Sequence, residues 1–171
     1  MKLHIGSNFA AEGWTTLDIN PGPGVDHIGD CRDLGQFADN SCETIYASHV
    51  LEHIPYREID AALKEWRRVL KPGGLLMVAV PDLDMLARLY TQPQMSLQDR
   101  WFIVQMMFGG QSDPHDIHYV GFHDELLGYY LREAGFVEMR KVENFGLFND
   151  TSGVTYKGLR ISLNLTARKP L

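Results

Sequence analysis

The sequence predicts an α/β fold in three layers, with a mostly parallel sheet completed by one antiparallel strand, and two stretches carry that expectation. Across residues 56–70 the apolar side chains Ile59, Ala62, Leu63, Trp66, Val69 and Leu70 recur at helical spacing, while Arg57, Glu58, Asp60, Lys64 and Glu65 fall elsewhere. Lys71-Pro72-Gly73-Gly74 ends that helix, and residues 75–80, Leu-Leu-Met-Val-Ala-Val, follow at once. An apolar run with no polar face is the pattern of a strand covered from both sides, as in the centre of a parallel sheet. The second stretch lies near the C-terminus. There Leu159, Ile161, Leu163, Leu165 and Ala167 alternate with Arg160, Ser162, Asn164 and Thr166, a period of two that predicts an antiparallel strand near a sheet edge with one face wet.

The other elements follow in order. Residues 2–5, 14–19, 25–28 and 43–47 read as short strands, each ended by turn-forming or polar residues. Residues 7–13 alone separate the first two, fewer than the roughly 10–12 that a helical crossover needs, so the first helix is expected to be reduced or absent. Residues 83–90 and 97–108 are expected helices, followed by a loop over 109–121. Open α/β sheets place lids and substrate elements after their central strands, so residues 82–122 are read as a lid or substrate insertion within one domain, 1–171. A helix over 124–134 puts Leu126, Leu127, Tyr130, Leu131 and Ala134 on one face and stops at Gly135; a strand over 136–142 follows. The aromatic and Met-rich stretch Trp101 to Phe108 fits core or a contact surface, which makes 95–110 the expected seat of any homodimer.

Composition narrows the function. The chain has 171 residues, 44% hydrophobic and 22% charged, which suits one globular domain. Sixteen Lys and Arg against 22 Asp and Glu give a net charge of −6, which argues against nucleic acid as the partner. No apolar run approaches the ~20 residues of a membrane span. The N-terminal residues lack a signal-peptide core, and two cysteines, Cys31 and Cys42, fit a reducing compartment, so a cytoplasmic protein is expected.

The chemistry is concentrated where the early strands end: Gly6-Ser7-Asn8, Asp18-Ile19-Asn20, Gly29-Asp30-Cys31-Arg32 and Ser48-His49. Gly6 lets a ligand touch backbone. Asp18 offers two oxygens to the two hydroxyls of a ribose. Asp30 has two readings, an acceptor for an exocyclic amine such as that of adenine, or with Asp33 the cap of a helix start. A dinucleotide site would need G-x-G-x-x-G opening a helix, to seat the pyrophosphate on backbone N–H groups, and the chain lacks it. A nucleoside cofactor without phosphates loses nothing from that absence, and S-adenosylmethionine is one. Asp113, His115, Asp116, His118, His123 and Asp124 gather acids and imidazoles, but their spacing matches no closed zinc pattern, so no metal is expected in the chain. Glu52 and His53 are read as fixing the turn after the fourth strand. An oxygen or nitrogen acceptor would benefit from a base near neutral pKa, for which His49, His118 and His123 are the candidates.

Ser48-His49-Val50-Leu51-Glu52-His53-Ile54, followed by Trp66-Arg67-Arg68-Val69-Leu70-Lys71-Pro72-Gly73-Gly74, resembles the class I S-adenosylmethionine-dependent methyltransferases, in particular a small bacterial branch of the type 11 kind with a VLEHI segment. The stretch from His115 to Phe136 is similar to the C-terminal part of that branch. The resemblance implies a seven-stranded Rossmann-like sheet with its last strand antiparallel. It also implies S-adenosylmethionine as cofactor, with Gly6, Ser7 and Asn8 at its methionine, Asp18 and Ile19 at the ribose, Asp30, Cys31 and Arg32 at the adenine, and Ser48 and His49 on the methionine side. The chain departs from the family in carrying one glycine in the first motif and no room for the first helix. Two functions therefore stand open: methyl transfer to an oxygen or nitrogen of a small-molecule or glycan acceptor, or a weakly active or inactive cofactor-binding subunit that regulates a partner.

Overall fold

The computed structural model describes residues 1–171. In chain order its elements are β1 (Lys2–Ile5), β2 (Thr15–Asp18), β3 (His27–Ile28), β4 (Cys42–Ser48), α1 (Ile59–Val69), β5 (Leu70–Pro81), α2 (Leu83–Tyr90), α3 (Leu97–Phe108), α4 (Asp124–Glu133), β6 (Val137–Val142), the hairpin strands β7 (Thr155–Tyr156) and β8 (Leu159–Arg160), and β9 (Ser162–Arg168). Seven strands form one sheet in the order β3-β2-β1-β4-β5-β9-β6. The first five pair in parallel, and β9 runs antiparallel to both β5 and β6. The expected α/β class, with its mostly parallel Rossmann-like sheet and antiparallel last strand, is what the chain adopts. Residues 6–14 connect β1 to β2 without a helix.

Strand parity divides the interior. Leu3, Ile5, Ile45, Ala47, Leu76, Val78, Val80, Leu163, Leu165 and Ala167 belong to one cluster of 28 buried residues, with Ile59, Leu63 and Trp66 of α1 and Leu127 and Leu131 of α4. The residues between them, His4, Tyr46, Met77, Ser162 and Asn164, are also buried, on the opposite face. There the cover is a group of rings: Phe148 stacks on His4 at 4.5 Å, and Tyr46 meets Phe145 and Phe148 at 5.3 and 5.0 Å.

The wet face expected for the last strand is therefore a correction. Ser162 and Asn164 are buried because backbone of the turn Thr151–Gly153 lies over them. Asn164 Nδ2 donates to Glu143 O at 2.8 Å and Ser152 O at 2.9 Å, and Ser162 Oγ donates to Thr151 O at 2.7 Å. Leu159 and Arg160 leave the alternating run to form the β7–β8 hairpin instead. The turn after α1 also differs from expectation, since β5 already begins at Leu70. Cys42 pairs with Leu70 and Thr44 with Leu75, so Lys71-Pro72-Gly73-Gly74 bulges from the strand. Gly73, at φ +74°, makes that bulge possible.

Candidate active site

The carboxyl ends of β1, β2, β3 and β4 open into one cleft of about 390 Å3, in the size range of small-ligand sites. Gly6 ends β1 at φ +75°, and its N–H donates to Leu17 O at 2.8 Å, which ties the ends of β1 and β2 together. Asp18 lies beside it, its Oδ1 accepting from Asn20 N at 2.8 Å, a bond that orients the carboxylate. Ile19, Gly29, Asp30, Cys31, Arg32 and His49 complete the strand-tip wall.

Asp30 does not start a helix; residues 30–33 form turns. Its Oδ1 accepts from Arg32 N at 2.9 Å and from Arg32 Nε at 2.9 Å, and Arg32 also pairs with Glu58 at the foot of α1. The guanidinium hydrogen bonds hold the Asp30 carboxyl below the usual carboxylate range. Cys31 is anchored through its carbonyl, which accepts from Trp66 Nε1 at 2.7 Å, and burial pushes its thiol up to about 12, so it is no nucleophile at neutral pH.

Three expected cofactor residues do not line the cleft. Ser7 is buried, with Oγ donating to Phe9 O at 3.1 Å; Asn8 lies beyond it; and Ser48, on the Tyr46 face of β4, meets Thr151 Oγ1 at 3.1 Å. Of the expected bases, His49 lines the cleft, whereas His118 sits behind the wall and His123 precedes α4. His49 holds a left-handed backbone, φ +55°, uncommon for a side-chain-bearing residue. Its Nε2 is 2.9 Å from Ser162 Oγ and its Nδ1 is 3.3 Å from Glu52 Oε1. Burial lowers the His49 pKa to about 3 and that of His118 to about 4, so both rings stay neutral and are weak bases at pH 7.

The far wall comes from the loop after α3, with Asp113, Pro114, His115, Asp116 and Tyr119 facing the strand tips. The loop is tied down on both sides: Tyr119 N donates to Glu52 O at 2.8 Å, His53 Nδ1 bonds Ile117 O at 3.2 Å, and His118 Nδ1 bonds Met106 O at 3.1 Å. The acids and imidazoles of this loop were visible in the sequence, but Tyr119 and the entirely buried Glu52 were not marked as parts of the site. Burial pushes the Glu52 carboxyl up to about 8.

A family described as "Methyltransferase domain" matches residues 15–78, from β2 into β5. No curated protein matches the chain in sequence. Solved structures with the same fold include a "possible exported protein" of Bordetella parapertussis, at 15% identity and TM-score 0.62, covering 99% of this chain and 62% of that one. A SAM-dependent methyltransferase of Archaeoglobus fulgidus has 17% identity and TM-score 0.62, with coverage of 98% and 85%. The 1,6-didemethyltoxoflavin-N1-methyltransferase of Burkholderia thailandensis, solved with its substrate and S-adenosylhomocysteine, has 16% identity and TM-score 0.59, with coverage of 99% and 71%. At such identities the likeness is one of fold. The chain resembles these methyltransferases in fold throughout, and a methyltransferase-domain family in sequence over residues 15–78.

Proposed function

We propose that the chain binds S-adenosylmethionine across the tips of β1, β2 and β3 and transfers its methyl group to an oxygen or nitrogen of a small-molecule or glycan acceptor. The observation that carries this reading is the pairing of Gly6 with Asp18 at one mouth of the cleft, at the carboxyl end of a parallel sheet. The cofactor, when bound, supplies a methyl group already activated on a sulfonium sulfur. What remains for the protein is alignment and exclusion of water, which can supply up to ~7–11 kcal/mol without a nucleophile.

In this reading Asp18 and Ile19 hold the ribose, and Asp30, Cys31 and the Asp30-bound Arg32 hold the adenine side. The Gly6 backbone borders the methionine, with Ser7, Asn8 and Ser48 supporting that edge from behind. His49 borders the transfer point as a neutral ring that orients the acceptor. Residues 82–122 form the acceptor side, with the loop residues His115 and Asp116 in the cleft to receive a proton; His118 and His123 act only through neighbours. An excess of the product, S-adenosylhomocysteine, at 100 times its Kd should stabilise the chain by about 2.7 kcal/mol in a thermal shift, and Asp18→Ala should abolish the gain. An unshifted wild type would refute the cofactor site.

One observation favours the second reading, a cofactor-binding subunit that regulates a partner: the first motif carries a lone glycine, and residues 6–14 form no helix against the cofactor edge. That subunit would show the thermal shift yet release no S-adenosylhomocysteine from S-adenosylmethionine when offered pools of metabolite and glycan acceptors.

A further inference from the structure

Behind the cleft wall, the buried Glu52 carboxyl meets imidazoles whose facing nitrogens carry no proton. Glu52 is entirely buried, and neither of its carboxylate oxygens has a hydrogen-bond partner. Its Oε1 faces His49 Nδ1 at 3.3 Å and His118 Nε2 at 4.0 Å. One ligand atom each of Glu52, His53 and His118 lies within 4.8 Å of the other two.

The outer partners of the rings dictate where the ring protons are. Ser162 Oγ spends its hydrogen on Thr151 O, so it accepts from His49 Nε2 and leaves His49 Nδ1 with a lone pair. The Nδ1 atoms of His118 and His53 donate to Met106 O and Ile117 O, which leaves a lone pair on each Nε2. A buried carboxylate surrounded by lone pairs is an unfavourable arrangement until a proton or a metal cation sits between them.

We propose that Glu52, His53 and His118 bind one divalent first-row transition-metal ion of the zinc kind, three protein ligands with a fourth position left open. Imidazoles with one carboxylate are a zinc donor set, and ligand atoms around a tetrahedral ion lie about 3.3 Å apart. The ligand atoms of Glu52, His53 and His118 lie within 4.8 Å of one another, and Glu52 Oε1 to His118 Nε2 is 4.0 Å, a little wider than that spacing. Each ring also has the second hydrogen bond, to a backbone carbonyl or a hydroxyl, that fixes the tautomer and aim of a metal-ligating histidine. The left-handed backbone at His49 is strain of the kind that functional sites retain. From the sequence no metal site is expected, and this proposal departs from that at Glu52, His53 and His118, the last of them in the loop of acids and imidazoles itself. The site goes beyond methyl transfer and does not depend on it; its ion would lie in the wall that His49 and His53 present to the cleft.

The test uses the full chain, stripped with a chelator and free of S-adenosylmethionine, so its outcome is separate from that of the cofactor site. Titration with Co2+ alone should bring up the visible absorption of a four-coordinate ion, saturate at one equivalent and be reversed by Zn2+. Glu52→Gln and His118→Gln should each weaken binding at least tenfold, while His115→Ala, in the open loop, leaves it unchanged. Circular dichroism identifies a variant that does not fold, and His53→Gln then takes its place. Absence of saturable binding to the wild type overturns the proposal and leaves Glu52 protonated against His49. Binding kept in Glu52→Gln and lost in His115→Ala overturns it equally, by moving the ion to the loop.

Discussion

A side chain at Gly6 has no room, since a Cβ there would lie 2.3 Å from Val50 Cγ2 on a backbone at φ +75°. The left-handed conformation costs an alanine roughly 1–2 kcal/mol, and overpacking adds ~1–3 kcal/mol. Gly6→Ala should therefore lower stability by about 2 kcal/mol or more in urea melts, and it should shrink the S-adenosylhomocysteine shift as Val50 moves into the cleft. A variant as stable as the wild type would mean that Val50 yields freely. Two residues before Gly6, within β1, His4 is buried among Phe148, Tyr46 and Phe9, with Nδ1 unpartnered. Burial lowers its pKa from 6.5 to about 4. Between those values the unfolded chain binds the proton and the folded chain does not, so this contribution to stability is complete above pH 6.5 and falls away as pH drops toward 4. The loss should reach about 3 kcal/mol. His4→Phe keeps the ring stack and removes the titration, so its stability relative to wild type should climb as pH falls through that window. A constant difference between the two proteins would exclude His4 as the source.

At the scale of elements, β9 separates what a sequence pattern encodes from what it leaves open. The alternation of Leu163, Leu165 and Ala167 with Ser162, Asn164 and Thr166 encodes which side chains share a face, and those apolar residues do join the main core. It does not encode what covers the other face, because that cover arrives from residues 143–153, far along the chain from β5. Had water covered it, Asn164→Ala would be nearly neutral. With Glu143 O and Ser152 O depending on the Asn164 amide, the substitution should cost about 2 kcal/mol in chemical denaturation. A cost below ~0.5 kcal/mol would restore the wet face. Helices α2 and α3 were legible to the residue because their signals are local: Asp82 caps Met85 N at 3.1 Å, and Ser96 and Asp99 form a reciprocal capping box. The strand tips were legible for a related reason, since Gly6, Asp18 and Asp30 stand where apolar runs stop. Glu52 was not. Its sequence neighbours place it in a turn, and only the tertiary fold, bringing His118 from 66 positions away, turns it into a buried carboxylate facing imidazoles.

The whole molecule has two unequal interiors. The sheet with α1 and α4 encloses 28 buried residues, whereas α2, α3 and the β7–β8 hairpin share a second cluster of five: Leu86, Leu89, Met95, Ile103 and Ile161. Its ties lie mostly at the surface: Phe102 stacks on Tyr156 at 4.4 Å, the Tyr156 hydroxyl donates to Asp99, Lys157 pairs with Asp99 at 2.9 Å, and Arg100 donates to Gln92 O at 3.0 Å. Much of α3 faces outward, with Leu97, Trp101 and Phe108 all more than half exposed. A unit with so small a buried core should open below the global unfolding free energy. Native-state hydrogen exchange should therefore find the amides of α3 exchanging well before those of Leu76–Val80, and equal protection would refute this division. The loop that walls the cleft begins where α3 ends, and its Asp113, His115, Asp116 and Tyr119 lie across from Asp18 and Asp30. A ligand spanning the cleft must then hold that loop against the sheet, so S-adenosylhomocysteine should slow exchange in α3 and residues 109–121 more than in β5. Protection gained only at the strand tips would place the ligand on the sheet alone and leave the far wall to the acceptor.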